Sequence, residues 1–188
     1  MIVTAKRADQ LTEAMRDHVL VRFERRFEAG HVTGYVVGVG PKFFLLQLVS
    51  NEIHFNGFEC FRASDLRHLR PDPYAAFIEA ALALRYDEAP PVPSIDLINI
   101  QTLVTTAASR FPLITIHTER TDPDACWIGR PVGIRREHLS LLDIDPAAEW
   151  DDEPLDFELK SITRISFGGD YEDALYLVGG EPSVQNPA

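Results

Sequence analysis

Cysteine is scarce in this chain, with only Cys60 and Cys126. Neither belongs to a Cys-x-x-Cys pair, so the sequence offers no disulfide framework and no sulfur-based zinc site. Both thiols read as reduced, small, semi-apolar side chains. Long hydrophobic runs are also missing. No stretch approaches the ~20 apolar residues of a membrane span, and the opening Met1 to Arg7 lacks the basic-then-apolar order of a secretory leader. The reading is a cytoplasmic protein without a membrane partner.

Basic residues are outnumbered. The chain has 18 Lys and Arg against 29 Asp and Glu, a net charge of −11. Nucleic acids attract proteins by releasing counterions to Lys and Arg, so an excess of carboxylates disfavours generic RNA or DNA binding. The six histidines (18, 31, 54, 68, 117 and 138) form no His-x-x-x-His or Cys/His spacing, and no metal or cofactor is expected.

Catalytic signatures are lacking too. Ser64, Asp65 and His68 have no nucleophile elbow around the serine. Cys60, His54 and Asp65 could be drawn as nucleophile, base and orienter, but strand alternation turns Cys60 inward as an inert core thiol. Val37-Gly-Val-Gly40 is followed by Pro41 and Lys42 rather than by a helix that would cradle phosphate. The expectation is a protein that is not an enzyme.

What is present is core material and a repeat. Hydrophobic residues make up 45% of the 188 positions, and a chain of this length buries roughly 70% of its unfolded surface without disulfides or metals. A displacement of 95 residues superposes Gly34-Tyr-Val-Val-Gly38-Val39 on Gly129-Arg-Pro-Val-Gly133-Ile134. It also places Val19 on Ile114, Val21 on Ile116, Glu24-Arg25 on Glu119-Arg120, Phe44 on Leu139 and Leu46 on Leu141. One added residue then aligns Phe61, Leu66 and Leu69 with Phe157, Ile162 and Ile165. Such agreement points to an internal duplication.

Each copy reads as about five short strands. Val19 to Phe23 and Leu113 to His117 alternate apolar and polar positions. Val32 to Val39 and Trp127 to Ile134 carry the paired glycines that mark a bend or a close backbone approach. Phe43 to Val49 and His138 to Ile144 follow, then strands near Phe58 to Arg62 and Leu155 to Leu159, and closing strands over Leu66 to Leu69 and Ile162 to Phe167.

Helices are expected over Ala8 to Asp17 with Asp9 as a cap, over Pro73 to Arg85, and over Ile95 to Arg110 capped by Ser94. Ala89-Pro-Pro-Val-Pro93 is a stiff connector. The domains are therefore read as 1–88 and 89–188, the second ending in a frayed tail from Gly179.

A helix followed by five short, bent strands with an apolar closing turn resembles the Sm-like fold among the SH3-like small barrels. The residues that carry the resemblance are Gly34 to Val49, Gly129 to Ile144, Ser64-Asp-Leu-Arg-His-Leu69 and Ser161-Ile-Thr-Arg-Ile165. It implies a mainly β chain with flanking helices, folded as two tandem five-stranded barrels. It also implies RNA binding through an Asp/Asn loop after strand three, where Asn51 stands, and a basic-glycine motif before strand five. Neither Leu66-Arg-His nor Ile162-Thr-Arg contains that glycine. Gly129-Arg-Pro-Val-Gly133 is similar also to a PRC-type barrel.

Charge divides the halves. Residues 1–90 sum to −1 and residues 91–188 to −10. Glu149, Asp151 and Asp152, with Asp143, Asp145, Glu153, Asp156 and Glu158, form an acidic stretch that would dock a basic partner. Trp150 within it is read as a partner anchor or as a lid over the barrel. The spacing lacks the central glycine of a calcium loop. Arg62, Arg67 and Arg70 form the candidate basic cluster, partly paired with Glu24, Glu28 and Asp65.

The leading expectation is a non-enzymatic interaction protein that uses strand edges, the acidic loop or the arginines to hold a protein partner or itself, as a homodimer for example. RNA binding is the second reading. An enzyme site between the barrels, using Arg62 and Asp65, is the third.

Overall fold

The computed structural model describes residues 5–27 and 30–182. Helix α1 (Ala5–Arg16) leads into β1 (Leu20–Arg25), β2 (Val32–Val39), β3 (Phe43–Val49), β4 (Phe55–Arg62) and β5 (Leu66–Pro71), with one 3-10 turn at Ala63–Asp65. Helices α2 (Ala75–Leu84) and α3 (Ile100–Ala108) follow. Then come β6 (Ile114–His117), β7 (Cys126–Arg135), β8 (His138–Asp143), β9 (Leu155–Glu158), β10 (Arg164–Phe167) and helix α4 (Asp170–Gly179). The chain is mainly β with helices at its flanks.

All ten strands join one antiparallel sheet in the order β5-β1-β2-β3-β4-β10-β6-β7-β8-β9. The last five strands stand in the same relative order as the first five. Gly34 lies opposite Leu48 and Gly129 opposite Asp143, and each second strand is bulged, between Val36 and Gly38 and between Pro131 and Gly133. A Cβ on Gly34 would sit 2.3 Å from the Gln47 carbonyl oxygen, and one on Gly129 would sit 2.0 Å from that of Leu142. These two glycines admit the neighbouring backbone.

Register differs from the ungapped superposition in one place. Val21, not Val19, is to Gly34 what Ile114 is to Gly129. The two-residue slip preserves the strand's faces, because side chains alternate with period two.

The largest apolar cluster does not respect a boundary at residues 88/89. It combines Phe43, Leu45, Phe58 and Cys60 with Leu103, Val104, Ala107, Ile114, Ile116, Leu139, Leu141, Ile165 and Phe167. The cause is the β4–β10 pairing, which sets Phe61 to Phe58 against Arg164 to Phe167 and merges their inward faces into one layer. A second cluster lies under α1 and includes Leu11, Val21, Phe23, Val36, Phe44, Leu46 and Phe61. A third lies under α2, where Leu20, Tyr35 and Val49 meet Ile78 and Leu82. Strand β3 is thus covered on both faces, as its unbroken apolar run requires.

Three helices depart from the sequence reading. α1 begins at Ala5, so Asp9 lies within it and is not its cap. α3 begins at Ile100 rather than Ile95, because Asn99 rather than Ser94 caps it: the Asn99 side chain accepts from the Gln101 and Thr102 backbone N–H at 2.9 and 3.0 Å. Ahead of it, Asp96 accepts from Ile98 N–H and Thr106 accepts from Asp96 N–H, so local side-chain bonds compete with helix. Helix α4 is absent from the sequence reading, although Asp170, Glu172 and Asp173 in its first turn are a helix-start signal. The tail reading falls largely on residues 183–188, outside the described residues, as does Glu28.

Candidate interaction surfaces

The outer strands of the sheet are β5 and β9. On β5, Arg67, His68 and Arg70 are exposed while Leu66 is buried. Arg70 stands opposite Arg22 on β1, a like-charge pairing that is unfavourable in itself. Buried Asp72 relieves it: Arg22 Nε donates to Asp72 Oδ2 at 2.8 Å, and Thr33 Oγ1 donates to the same oxygen at 3.1 Å. With Arg22 held inward, the guanidiniums of Arg67 and Arg70 remain on the outer strand. On β9, Leu155, Asp156 and Glu158 are exposed and Phe157 is half-buried against Trp127. Lys160 is paired with Glu158 at 3.2 Å.

Arg62 does not join Arg67 and Arg70. It ends β4, stacks 5.1 Å over the Phe43 ring, and donates to the carbonyls of Ile162 (2.7 Å), Leu159 (3.3 Å) and Lys160 (3.3 Å). Burial first, and then the charge of Arg120, push its pKa below the usual guanidinium value. Its work is to tie β4 to the turn before β10. Asp65 is likewise engaged, accepting from Arg120 Nη2 at 3.0 and 3.1 Å. Arg62 and Asp65 are thus both engaged in contacts between the halves.

The densest charge cluster sits at the same junction. Arg25, 3% exposed, forms a two-pronged pair with Glu119 at 2.7 and 3.0 Å and stacks 4.8 Å over Phe61. Thr163 Oγ1 donates to Glu119 Oε2, the oxygen that also accepts from Arg25 Nη2. Arg164 lies 3.5 Å from Glu119 and 3.6 Å from Glu59, and donates to His117 Nδ1 at 3.1 Å. Burial would raise the Glu119 carboxyl, but the hydrogen bonds from Arg25 and Thr163 and the charges of Arg25 and Arg164 outweigh it and hold it below the ordinary value. Burial, then the Arg164 charge, pushes His117 down to about 3. Among the residues of this cluster, sequence reading noted the positions of Arg25 and Glu119 only as part of the repeat. Glu59, His117, Thr163 and Arg164 gave no signal beyond polar residues in apolar strands.

In the acidic stretch, Asp145 Oδ1 accepts from Ala147 and Glu149 N–H, both at 2.9 Å, and folds residues 145–149 into a tight turn. Glu149, Asp151 and Asp152 are exposed along it. Trp150 is held within the fold. It packs half-buried with Leu113, Ile144 and Leu175, and its indole N–H donates to the carbonyls of Gly179 and Gly180 at 3.3 Å.

Asp143, whose Oδ1 is buried without a hydrogen-bond partner among the described residues, is pushed up to about 6 by burial and by the charge of Asp151. A carboxyl with a raised folded pKa costs nothing below the ordinary 3.8, costs progressively more as the pH rises from there, and costs the full amount above the raised value. Asp143→Asn should therefore raise Tm by a few degrees at pH 8, on the order of 1 kcal/mol after discounting for partial exposure. The gain should vanish at pH 4. Differential scanning fluorimetry across this range checks it.

Cys60 and Cys126 are both free thiols, the first buried and the second exposed. Burial pushes the Cys60 thiol up, so it is no nucleophile. The groups once drawn around it are elsewhere: His54 pairs with Ser50 and Asp170 and Asp65 with Arg120. The described residues contain no cluster of three or more His, Cys, Asp or Glu that could hold a metal, and no helix long and apolar enough to cross a membrane. No protein-family model, curated protein or solved structure matches the chain.

Proposed function

We propose that this chain is a non-enzymatic assembly protein: two Sm-like five-stranded units, arisen by duplication, that associate with further copies through the outer strands β5 and β9. The observation that carries the reading is the internal β4–β10 pairing. It joins the last strand in sheet order of the first unit to the first of the second unit. The outer strands β5 and β9 are then the same two kinds of edge, still open.

Charge supports the match between them. Arg67 and Arg70 lie on β5, whereas Asp156 and Glu158 lie on β9, with Glu149, Asp151 and Asp152 nearby. Two β5 edges repel each other, as do two β9 edges, and only the head-to-tail combination brings opposite signs together. Head-to-tail contacts close into rings when the rotation permits and otherwise extend.

Sedimentation velocity at low salt, about 50 mM, and at about 500 mM tests the proposal. Oligomers are expected at low salt and should weaken at high salt. Arg67→Glu with Arg70→Glu should abolish the salt-sensitive association, and mixing with a chain carrying Asp156→Lys and Glu158→Lys should restore a mixed contact. A wild-type chain that stays monomeric at low salt, or oligomers indifferent to the reversal, would overturn the reading. Labelled RNA captured in the same low-salt titration, and lost with the Arg67/Arg70 reversal, would instead assign the basic edge to RNA.

A further inference from the structure

Helix α2 presents a second surface that owes nothing to the strand edges. Its sequence, Ala75-Ala-Phe-Ile-Glu-Ala-Ala-Leu-Ala-Leu84, is apolar almost all round, and only Ile78 and Leu82 are buried against the sheet. Glu79, its one ionisable residue, accepts from the Tyr35 hydroxyl at 3.2 Å. On the outward side Phe77 is 64% exposed and Leu84 82%, flanked by Tyr74 at 61% and Tyr86 at 90%. Ala76, Ala80 and Ala83 are exposed between them. At ~100° per residue, positions 76, 77, 80, 83 and 84 fall within a stripe of about 120° centred on Ala80. An all-apolar helix is ordinarily covered on every side, and a contiguous patch of this kind marks an interaction site.

We infer that the partner of this face is a second copy of the same helix, packed antiparallel about a two-fold axis beside Ala80. The stripe is self-complementary in that arrangement. Reversal about Ala80 sets Phe77 level with Ala83 and Leu84 of the other copy, Leu84 level with Ala76 and Phe77, and Tyr74 level with Tyr86. The large side chains cluster on one flank of the seam. The alanines let the helix axes approach toward the lower end of the usual 8–10 Å.

The area is adequate. Tyr74, Phe77, Leu84 and Tyr86 together expose on the order of 700 Å² per copy, the ceiling on what they can bury and of the same order as the ~800 Å² that each partner contributes to a standard interface. Charge favours the same geometry. Each chain carries −11, but the half that bears α2 carries only −1, so a contact through α2 joins the nearly neutral halves and not the acidic ones.

The test separates this contact from edge pairing by salt. At about 500 mM, where contacts between exposed charges are screened, the full-length chain should still form dimers in sedimentation velocity. Ala80→Glu places two like charges at the axis and should weaken dimerisation at least about 100-fold. Because Ala80 is exposed, the circular dichroism spectrum should not change, and Tm should match wild type at concentrations where both chains are monomeric. Ala80→Lys should behave alike when alone, and an equimolar mixture of the two variants should dimerise again, since the opposite charges then meet.

Three results would overturn the inference. One is a wild-type monomer at high salt, another is Ala80→Glu dimerising as well as wild type, and the third is a mixture that stays monomeric. Flotation of the monomer with neutral phosphatidylcholine vesicles, lost in Ala80→Glu, would assign the face to a bilayer surface instead. Salt-sensitive oligomers that persist in Ala80→Glu would leave the edge reading standing on its own.

Discussion

Replacing Glu119 with alanine is expected to destabilise the fold by about 3–5 kcal/mol, a fall in Tm of roughly 10 °C. Arg25 would then be left almost wholly out of water without the carboxylate that satisfies two of its donors at 2.7 and 3.0 Å. Arg164, Thr163 and the Glu119 backbone N–H, which donates to Thr163 Oγ1 at 3.2 Å, belong to the same cluster, so the damage falls where β4, β10 and β6 meet. Replacing both members, Arg25→Met with Glu119→Leu, should recover much of the loss, because the penalty lies in keeping the guanidinium buried without this carboxylate and not in the absence of a pair. Urea unfolding of the three variants measures this. A Glu119→Ala loss below about 1 kcal/mol would show that water reaches Arg25 and the cluster holds little.

The same cluster sets the response to acid. The Glu119 carboxyl is held below its ordinary 4.5, so its contribution is present above that value and is lost as the pH falls through the lowered one. His117, held down to about 3 against an ordinary 6.5, likewise withdraws stability between pH 6.5 and 3, since the unfolded chain takes up the proton first. Wild type should therefore lose stability on acidification through this window. Glu119→Ala should show a shallower decline.

Gly57→Ala is expected to cost about 2–4 kcal/mol. Gly57 has φ +69°, where an L residue is strained, and a Cβ there would lie 2.5 Å from the backbone carbonyl carbon and oxygen of Gly168. Both obstacles are backbone, so no side chain can swing aside. The clash would push the start of β4 away from the turn that links β10 to α4, where Asp170 N–H donates to Asn56 Oδ1 at 2.8 Å. Gly133→Ala serves as the control, because a Cβ at that position meets nothing within 4 Å. Thermal unfolding should place Gly133→Ala within about 0.5 kcal/mol of wild type. A Gly57→Ala protein as stable as that control would refute the close approach.

Most strands were legible because their signal is local. Alternation in Leu20 to Phe23 and Ile114 to His117, the glycine-bearing second strands and the apolar third strands all read correctly within a few residues. The offset that places Phe61 against Phe157 also agrees with pairing, for Phe44 lies opposite Phe61 and Leu139 opposite Phe157. Local signals misled where several competed. Ser94 and Asn99 are both capping residues, and only Asn99 has Thr102 in place to return the bond.

The candidate site was legible in composition but not in geometry. Arg67 and Arg70 were found on the outer strand, whereas Arg62, four residues before Leu66, faces the opposite task because β4 pairs with β10.

Composition and period alone determined that this chain is strand-rich and acidic in its second half, because those properties reside in each segment by itself. Only the tertiary structure decided that both halves share one sheet and one core, that Arg25 meets Glu119, and that Phe77 and Leu84 stay outside. Pairing between strands about a hundred residues apart depends on which faces and edges remain uncovered once each half has folded, and that choice leaves no mark on neighbouring residues.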